Sequence, residues 1–399
     1  MTVVSNDQFK NIRPYNDAEV GPVLAKLAQH EELINTIVNY KYPRLAPIFG
    51  WALKPLAKWY LGKQIKPITN VHDFQLVVEG YMTRMIDATT TNVTHSGLDS
   101  LDISMAHLYM SNHRDIAMDP ALLTYTMYQN GHDTLRIAIG DNLLTKDYVS
   151  DIMRLNKSFI VNRSAVGPRK ILAAYKQLSA YISKSLSEDK VGIWIAQREG
   201  RAKNGLDVTV PAIIKMLTMS FDRKNDVFAD FVRKLRIVPV AISYEYDPCD
   251  SDKAKELYIK DSEGEYQKAE QEDVNSIAVS IEGNKGNVHI AFGEPMLGDF
   301  DSPDLVAAEV DRQIISNYVL HPSNFFAYKE LHGVYPIGNY SAANISFDSS
   351  KLKAEARKFG SRLAAIATEH KPYFLQNYAN CIQQKIDFGF LPNPFNQAI

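Results

Sequence analysis

The sequence contains little cysteine and no long uncharged apolar run. Its 399 residues include two cysteines, Cys249 and Cys381, which lie far apart in the chain. This usage excludes a disulfide framework and a cysteine-rich metal site, and it fits a reduced, cytosolic compartment. The apolar stretch that begins at Leu45 stops at Lys54, well short of the roughly 20 residues that a transmembrane helix needs. A lipid substrate would therefore have to be met at the membrane surface.

Signals for secretion, nucleic acid, metal and nucleotide are also missing from the sequence. The first 17 residues carry charge at Asp7 and Lys10 and have no basic segment followed by an apolar one, so they do not resemble a secretory signal. A formal net charge of −2 gives no general reason to expect nucleic acid as a partner. No HExxH, P-loop or GxGxxG pattern occurs, so neither metal nor nucleotide chemistry is supported. We expect a cytoplasmic protein that uses no metal and no cofactor.

The pattern of apolar residues divides the chain into three regions. Hydrophobic residues make up 45% and charged residues 23%, which is ordinary for a globular chain. Residues 1–86 and 301–399 have helical periodicity, and residues 87–300 alternate short strand-like and helical runs, which predicts an α/β core between helical regions. Within this core, the polar segment from Asp247 to Ser276 is interpreted as a surface excursion that includes an amphipathic helix. The candidate strands are TTTNVTHSGL, HLYMSN, LRIAIG, FIVNR, VGIWIAQ, RIVPVAISYEY and NVHIAFGEPM.

The strongest local signal lies in residues 107–125, HLYMSNHRDIAMDPALLTY. An apolar strand leads into a polar turn and then into a helix, which we expect to begin with Asp119 as its N-cap and Pro120 as its first residue. His113 lies in the turn at the carboxyl end of the strand, where α/β sheets tend to place their ligands. Its imidazole can accept a proton from a hydroxyl group if a carboxylate holds the correct tautomer, and both Asp119 and Asp115 are candidates. A solvated histidine and a simple helix cap are the alternatives, and His107 on the same strand is more typical of a core residue.

Further segments follow His113 in an order that resembles the glycerol-3-phosphate and lysophosphatidate acyltransferases. The first block of that family, HxxxxD, corresponds to residues 113–119, which are one residue longer here; Asp119 is favoured over Asp115 because the turn can absorb the insertion. The second block, an apolar strand that ends in arginine, resembles residues 159–164 with Arg163. The third, EGxR, resembles Glu199-Gly200-Arg201 without the intervening residue. An apolar strand with a central proline, residues 237–242, and a GEP turn at 293–295 resemble the later blocks.

This resemblance covers about half of the chain and implies both a fold and an activity. It implies a mixed β-sheet core covered by helices. It also implies transfer of a fatty acyl group from acyl-CoA or acyl-carrier protein to glycerol 3-phosphate or its 1-acyl derivative, with His113 as general base. Arg163 and Arg201, helped by Lys203, would bind the acceptor phosphate, and Glu199 and Gly200 would shape the acceptor site. Another lyso-lipid acceptor, or a lipid-binding protein without turnover, are the alternatives.

Residues 39–66 combine basic and aromatic side chains. No acidic residue occurs between Glu32 and Asp73. Basic residues beside aromatic ones are typical of an interfacial helix that presses on anionic lipid, which predicts a peripheral protein on the inner face of the membrane. A core helix whose lysines reach solvent is the alternative. The basic residues are Lys41, Arg44, Lys54, Lys58, Lys63 and Lys66, and the aromatic residues beside them include Phe49, Trp51, Trp59 and Tyr60.

Overall fold

The computed structural model describes residues 7–222, 224, 227–269, 272–336 and 349–394. Seven strands lie in these ranges, and each coincides with a strand that the sequence predicts. They are β1 (Thr90–Ser96), β2 (Leu108–Ser111), β3 (Arg136–Gly140), β4 (Ser158–Val161), β5 (Ile193–Ala196), β6 (Ile237–Tyr244) and β7 (Gly286–Phe292).

Helices flank the strand-containing part of the chain on both sides, as predicted. Those of the amino-terminal part are α1 (Asp17–Gln29), α2 (Glu31–Lys41), α3 (Ala46–Ile65) and α4 (Val71–Thr89). Those between strands are α5 (Met118–Gln129), α6 (Asp147–Leu155), α7 (Pro168–Ser187), α8 (Pro211–Leu217), α9 (Phe228–Leu235), α10 (Asp250–Glu263) and α11 (Glu272–Glu282). The carboxyl-terminal ones are α12 (Pro303–Asn317), α13 (Pro322–His332), α14 (Ser349–Ala364) and α15 (Lys371–Asp387).

The chain forms two compact units, each built from segments that are distant in sequence. Unit 1 combines Met1–Thr83 with Arg136–Tyr181, and unit 2 combines Arg84–Leu135 with Ile182–Ile399. The three regions predicted along the sequence describe chain order, whereas these units describe packing.

Unit 2 contains five strands in the order β1-β7-β6-β2-β5. Strand β2 is parallel to both β5 and β6, whereas β6 and β7 are antiparallel. The sheet is therefore mixed, which confirms the predicted fold class. All residues of β2 and β6 are buried, as expected for central strands covered on both faces. The turn that carries His113 follows β2 and so lies at the carboxyl end of a central strand.

Unit 1 contains the parallel pair β3-β4 and the first helices of the chain. Its core includes Val20 and Leu24 of α1 and Leu155 of α6. Helix α3 differs from its neighbours because none of its side chains is buried. Within the described part of the chain, no helix is both long and apolar enough to cross a membrane.

Candidate active site

Asn112 follows the last residue of β2 and begins the turn that holds His113. Its Oδ1 accepts a hydrogen bond from the backbone N–H of Ile242 at 2.7 Å, and its Nδ2 donates to the carbonyl of the same residue at 3.0 Å. The amide side chain thus takes the place of a backbone partner beside β6. This pairing releases the main chain after Ser111 from the ladder, so His113 can enter a turn without leaving buried polar groups unpaired.

His113 and Asp119 are joined by a hydrogen bond. Nδ1 of His113 lies 2.9 Å from Oδ2 of Asp119, whose side chain is fully buried, while 13% of the His113 side chain is exposed. Because an ionised carboxylate only accepts hydrogen bonds, this contact favours the tautomer with the proton on Nδ1. Nε2 then carries the lone pair, so the ring can accept a proton from a hydroxyl group.

Asp119 receives three further hydrogen bonds. The backbone N–H groups of Arg114 and Asp115 donate to Oδ2 at 2.7 and 2.9 Å. The hydroxyl of Tyr244, the last residue of β6, donates to Oδ1 at 2.8 Å. Such donors stabilise the ionised form of a buried carboxylate and hold its orientation.

The carboxylate of Asp115 binds backbone amides at the start of α5 and not the imidazole of His113. Its Oδ1 accepts from the backbone N–H groups of Ala117 and Met118 at 3.0 and 2.9 Å, which are the orphan donors of the first turn of α5. Burial and the nearby charge of Asp119 raise the pKa of the Asp115 carboxyl. The prediction that α5 has Asp119 as N-cap and Pro120 as its first residue was wrong, because Asp115 supplies the capping oxygen and α5 begins two residues earlier, at Met118.

Arg114, the residue after His113, forms a buried ion pair with Asp207. Nη2 of Arg114 lies 2.5 Å from Oδ2 of Asp207 and 3.0 Å from the carbonyl of Gly205. The guanidinium also lies over the ring of Tyr318, 5.3 Å from its centroid. Asp207 in turn accepts from Nδ2 of Asn112 at 3.4 Å. Asn112 and Arg114, the residues on both sides of His113, are therefore tied to the loop that follows β5.

Lys253 supports the same turn from α10. Its ammonium donates to the carbonyl of Arg114 at 2.7 Å and forms an ion pair with Asp247. Lys253 is 2% exposed and Asp247 is 8% exposed. The interpretation of residues 247–276 as a surface excursion was therefore wrong for its first part. The polar composition of that part reflects buried ion pairs and not solvation.

Trp194 of β5 borders the imidazole of His113. The two rings meet edge to face with centroids 6.0 Å apart, and the indole N–H donates to the hydroxyl of Ser111 at 3.0 Å. This bond fixes the indole plane. His107, at the other end of β2, is buried, and burial lowers its pKa, which confirms its interpretation as a core residue.

Arg201 lies beside the turn of His113. The backbone N–H of the next residue, Ala202, donates to the carbonyl of His113 at 2.7 Å. Nη2 of Arg201 donates to the hydroxyl of Ser276 at 3.3 Å. Nη1 is buried and has no hydrogen-bond partner among the residues that the structure describes. One edge of this guanidinium is therefore removed from water and keeps an N–H donor that an acceptor could satisfy.

The other predicted acceptor residues differ in their surroundings. Glu199 and Gly200 are exposed, and Gly200 has a φ of +72°, a conformation that a side chain would strain. Lys203 is already paired with Glu256, and burial lowers its pKa. Arg163 belongs to unit 1, where its backbone N–H donates to Oδ1 of Asp141 at 3.0 Å. The structure thus places Glu199, Gly200, Arg201 and Lys203 in the same unit as His113.

Comparison with known proteins identifies the part of the chain that carries this site. Residues 92–243 match the sequence model of a family described as Acyltransferase. The chain contains a domain of the acyltransferase family. The matched range includes His113 and Asp119 and extends to Ser243, one residue before the end of β6, so the hydrogen-bonded pair lies inside the acyltransferase domain.

Two curated proteins named glycerol-3-phosphate acyltransferase are similar to part of this chain. One from Pseudoalteromonas translucida (strain TAC 125) is 30% identical over 192 residues, and one from Pseudoalteromonas atlantica (strain T6c / ATCC BAA-1087) is 30% identical over 190 residues. Each match covers 47% of this chain and 21% of the relative. The chain therefore spans about a fifth of the length of these curated relatives. Among solved structures, the 1-acyl-sn-glycerophosphate acyltransferase PlsC from Thermotoga maritima is 14% identical with a TM-score of 0.36, covering 74% of this chain and 94% of that one.

The sequence analysis missed the roles of four residues that support the site of the acyltransferase domain, namely Arg114, Asp207, Tyr244 and Lys253. Arg114 lies 93 residues from its partner Asp207, and Tyr244 lies 125 residues from its partner Asp119, so no local pattern connects them. Lys253 lies in the segment that was interpreted as a surface excursion. Within the described residues, no group of three or more His, Cys, Asp or Glu side chains could hold a metal ion.

Proposed function

We propose that this chain transfers a fatty acyl group from a thioester to the hydroxyl of glycerol 3-phosphate or 1-acylglycerol 3-phosphate, as a step of phospholipid synthesis. The observation that carries the proposal is the hydrogen bond between His113 and Asp119 inside an acyltransferase-family domain. The donor would be acyl-CoA or acyl-carrier protein. Two proteins that resemble about half of this chain are named for the same type of reaction.

In the proposed reaction, Nε2 of His113 removes the proton from the acceptor hydroxyl as its oxygen attacks the thioester carbonyl. The new C–O bond forms, the tetrahedral intermediate collapses, and the C–S bond breaks to release a thiolate. The proton held on the imidazolium is then passed to the departing sulfur, so the histidine returns to its neutral form. Asp119 holds the ring in orientation and stabilises the imidazolium while the proton is on it.

Arg201 is the cation that we assign to the acceptor phosphate. Its buried and unpartnered Nη1 offers an N–H donor, and a phosphate oxygen would satisfy it with a charge-assisted hydrogen bond. Arg163 is proposed as the second arginine, and Glu199 and Gly200 as residues that shape the acceptor site. Lys203 would assist only if its ammonium exchanged Glu256 for the phosphate.

Helix α3 is the surface that we assign to the membrane. It exposes Trp51 and Trp59, at 79% and 64%, and Ile48 at 67%. Lysines accompany these apolar groups, and Nζ of Lys63 lies over the ring of Trp59, 5.7 Å from its centroid. An exposed apolar helix with only basic charges is suited to a bilayer surface with anionic lipid. The protein would then be peripheral, on the cytoplasmic face of a membrane.

Thioester consumption by the purified protein tests the proposal. The donors are acyl-CoA and acyl-carrier protein, and the acceptors are glycerol 3-phosphate, 1-acylglycerol 3-phosphate, a neutral lysophospholipid and glycerol. We expect ester formation with a phosphate-bearing acceptor and none with glycerol. Transfer to the neutral lysophospholipid alone would mean that this lipid, and not glycerol 3-phosphate or its 1-acyl derivative, is the acceptor. If no combination of donor and acceptor releases free thiol, a lipid-binding protein without turnover would be favoured.

A further inference from the structure

The end of β6 reaches the carboxylate that orients His113. Beside β2, Asn112 pairs with Ile242, and Tyr244 lies two residues further along β6, on the same face of the strand as Ile242. Its hydroxyl donates to Oδ1 of Asp119 at 2.8 Å, and its side chain is buried. Nothing in the family match or in the acyl-transfer step proposed above assigns a task to this hydroxyl.

The two oxygens of Asp119 are held from different parts of the chain. Oδ2 receives the local donors, which are Nδ1 of His113 and the backbone N–H groups of Arg114 and Asp115. Among the described residues, the hydroxyl of Tyr244 is the one donor to Oδ1. Removing it would leave a fully buried anionic oxygen without a partner, and the carboxylate would be free to turn about its Cβ–Cγ bond.

We infer that Tyr244 is a positioning residue for acyl transfer, which acts through Asp119 on His113. This inference rests on the proposed function. The hydroxyl fixes the plane of the carboxylate so that Oδ2 meets Nδ1 of His113, and it disperses part of the negative charge of Asp119. Strand β6 therefore contributes a hydrogen-bond donor to the site in addition to core packing.

Replacing Tyr244 with Phe separates this role from packing, because the ring stays and the hydroxyl is lost. A hydrogen bond to a charged group is removed, so we expect kcat to fall by about tenfold or more. The KM values for acceptor and thioester should stay within about twofold, since Tyr244 touches neither.

Tyr246→Phe is the matched control. This tyrosine follows β6 by two residues, is also buried, and donates its hydroxyl to Glu355 at 2.9 Å. Both substitutions remove one buried hydroxyl and should lower stability to a similar extent, but only Tyr244→Phe should lower kcat. In an Asp119→Asn background, Tyr244→Phe should cause no further loss, because its partner has already been altered.

The outcomes distinguish this inference from the proposed function. Normal turnover by the parent, with a Tyr244→Phe variant that keeps the kcat of the parent, would overturn the inference alone. Equal kinetic effects of Tyr244→Phe and Tyr246→Phe would also overturn it, since general loosening of the fold would then account for both. No acyl transfer by the parent with any acceptor would overturn the proposed function, and the inference with it.

Discussion

The backbone amide of Asp115 donates to the carboxylate of Asp119, with 2.9 Å between the nitrogen and Oδ2. The two acidic residues of the lengthened block are thus not interchangeable. Asp119 faces His113 and collects donors from the turn, while Asp115 presents its own oxygen to the first amides of α5. These hydrogen bonds accommodate the additional residue of the block within the turn, so that the imidazole of His113 still meets the carboxylate of Asp119.

Asp119→Asn should reduce turnover far more than Asp115→Asn does. Asparagine at 119 removes the charge that stabilises the imidazolium, so we expect at least about a 100-fold loss of kcat. Asparagine at 115 keeps an oxygen for the amides of Ala117 and Met118. Because the pKa of Asp115 is raised, loss of its charge should cost little. Steady-state kinetics of both variants measure this, and a larger loss at Asp115 would assign the orienting role to that residue.

His113→Ala should leave a folded protein with kcat lowered by at least about 100-fold, the low end of general-base effects. The side chain is partly exposed, and among the described residues Asp119 is the one hydrogen-bond partner of its ring nitrogens, so thermal unfolding should change little. Turnover and the unfolding midpoint are measured on the same preparation. A folded variant with the turnover of the parent would remove His113 from the reaction.

Arg201→Lys should raise the KM for the phosphate-bearing acceptor by about tenfold or more. Lysine keeps the charge but loses the planar fork, and a phosphate bound equally in the ground and transition states affects mainly KM. The KM for the thioester serves as the internal control and should barely move. Arg163→Lys is the parallel test for the second arginine. Equal weakening of donor and acceptor, or equal use of glycerol and its phosphate by the parent, would exclude the phosphate assignment.

Replacing Lys54, Lys58 and Lys63 of α3 with Gln should weaken binding to vesicles that contain anionic lipid. Each lysine near such a surface contributes roughly 1 kcal/mol, and salt should reduce the difference. Because α3 buries no side chain, the variant should be as stable as the parent. The matched control replaces Lys234, Lys255 and Lys353, which are exposed elsewhere. Unchanged binding by the α3 variant, or equal weakening in the control, would contradict the assignment of α3 to the membrane.

His289 should make the protein less stable in acid. This residue of β7 is buried, and its ring nitrogens face the hydroxyls of Thr94 and Ser96 at 2.8 and 3.0 Å. Burial, with a smaller effect of His95, lowers its pKa to about 4, below the value of about 6.5 in the unfolded chain. The unfolded state therefore binds a proton first, and stability declines as the pH falls from about 6.5 towards 4.

Urea unfolding of the parent and of His289→Gln at pH 7 and pH 5 measures this contribution. The free energy of unfolding of the parent, relative to the variant, should fall by roughly 2 kcal/mol between the two pH values. An unchanged difference would mean that His289 does not titrate at a lowered pKa in the folded protein.

Local sequence patterns predicted the elements of the fold more fully than the contacts of the site. Each candidate strand was observed because apolar runs bounded by polar turns reflect burial, which is a local property. The predicted start of α5 was wrong because Asp115 and Asp119 are both able to cap the helix. The spacing of the two residues does not show which carboxylate accepts from the first backbone amides of α5. Tyr244 and Asp207 could not be predicted, since their partners lie on other strands and loops.

Helix α15 completes the surroundings of Arg114. The sulfur of Cys381 lies 3.5 Å from Nη2 of Arg114, and the side chain of Gln384 exchanges two hydrogen bonds of 2.8 Å with the backbone of Asp207. The carbonyl of Asn377 leaves no room for a side chain at Gly205. A chain in which α15 has not yet folded would therefore leave one side of the Arg114–Asp207 ion pair uncovered. Because α15 lies far behind the turn of His113 in the chain, the surroundings of that turn would be completed only after α15 has been synthesised.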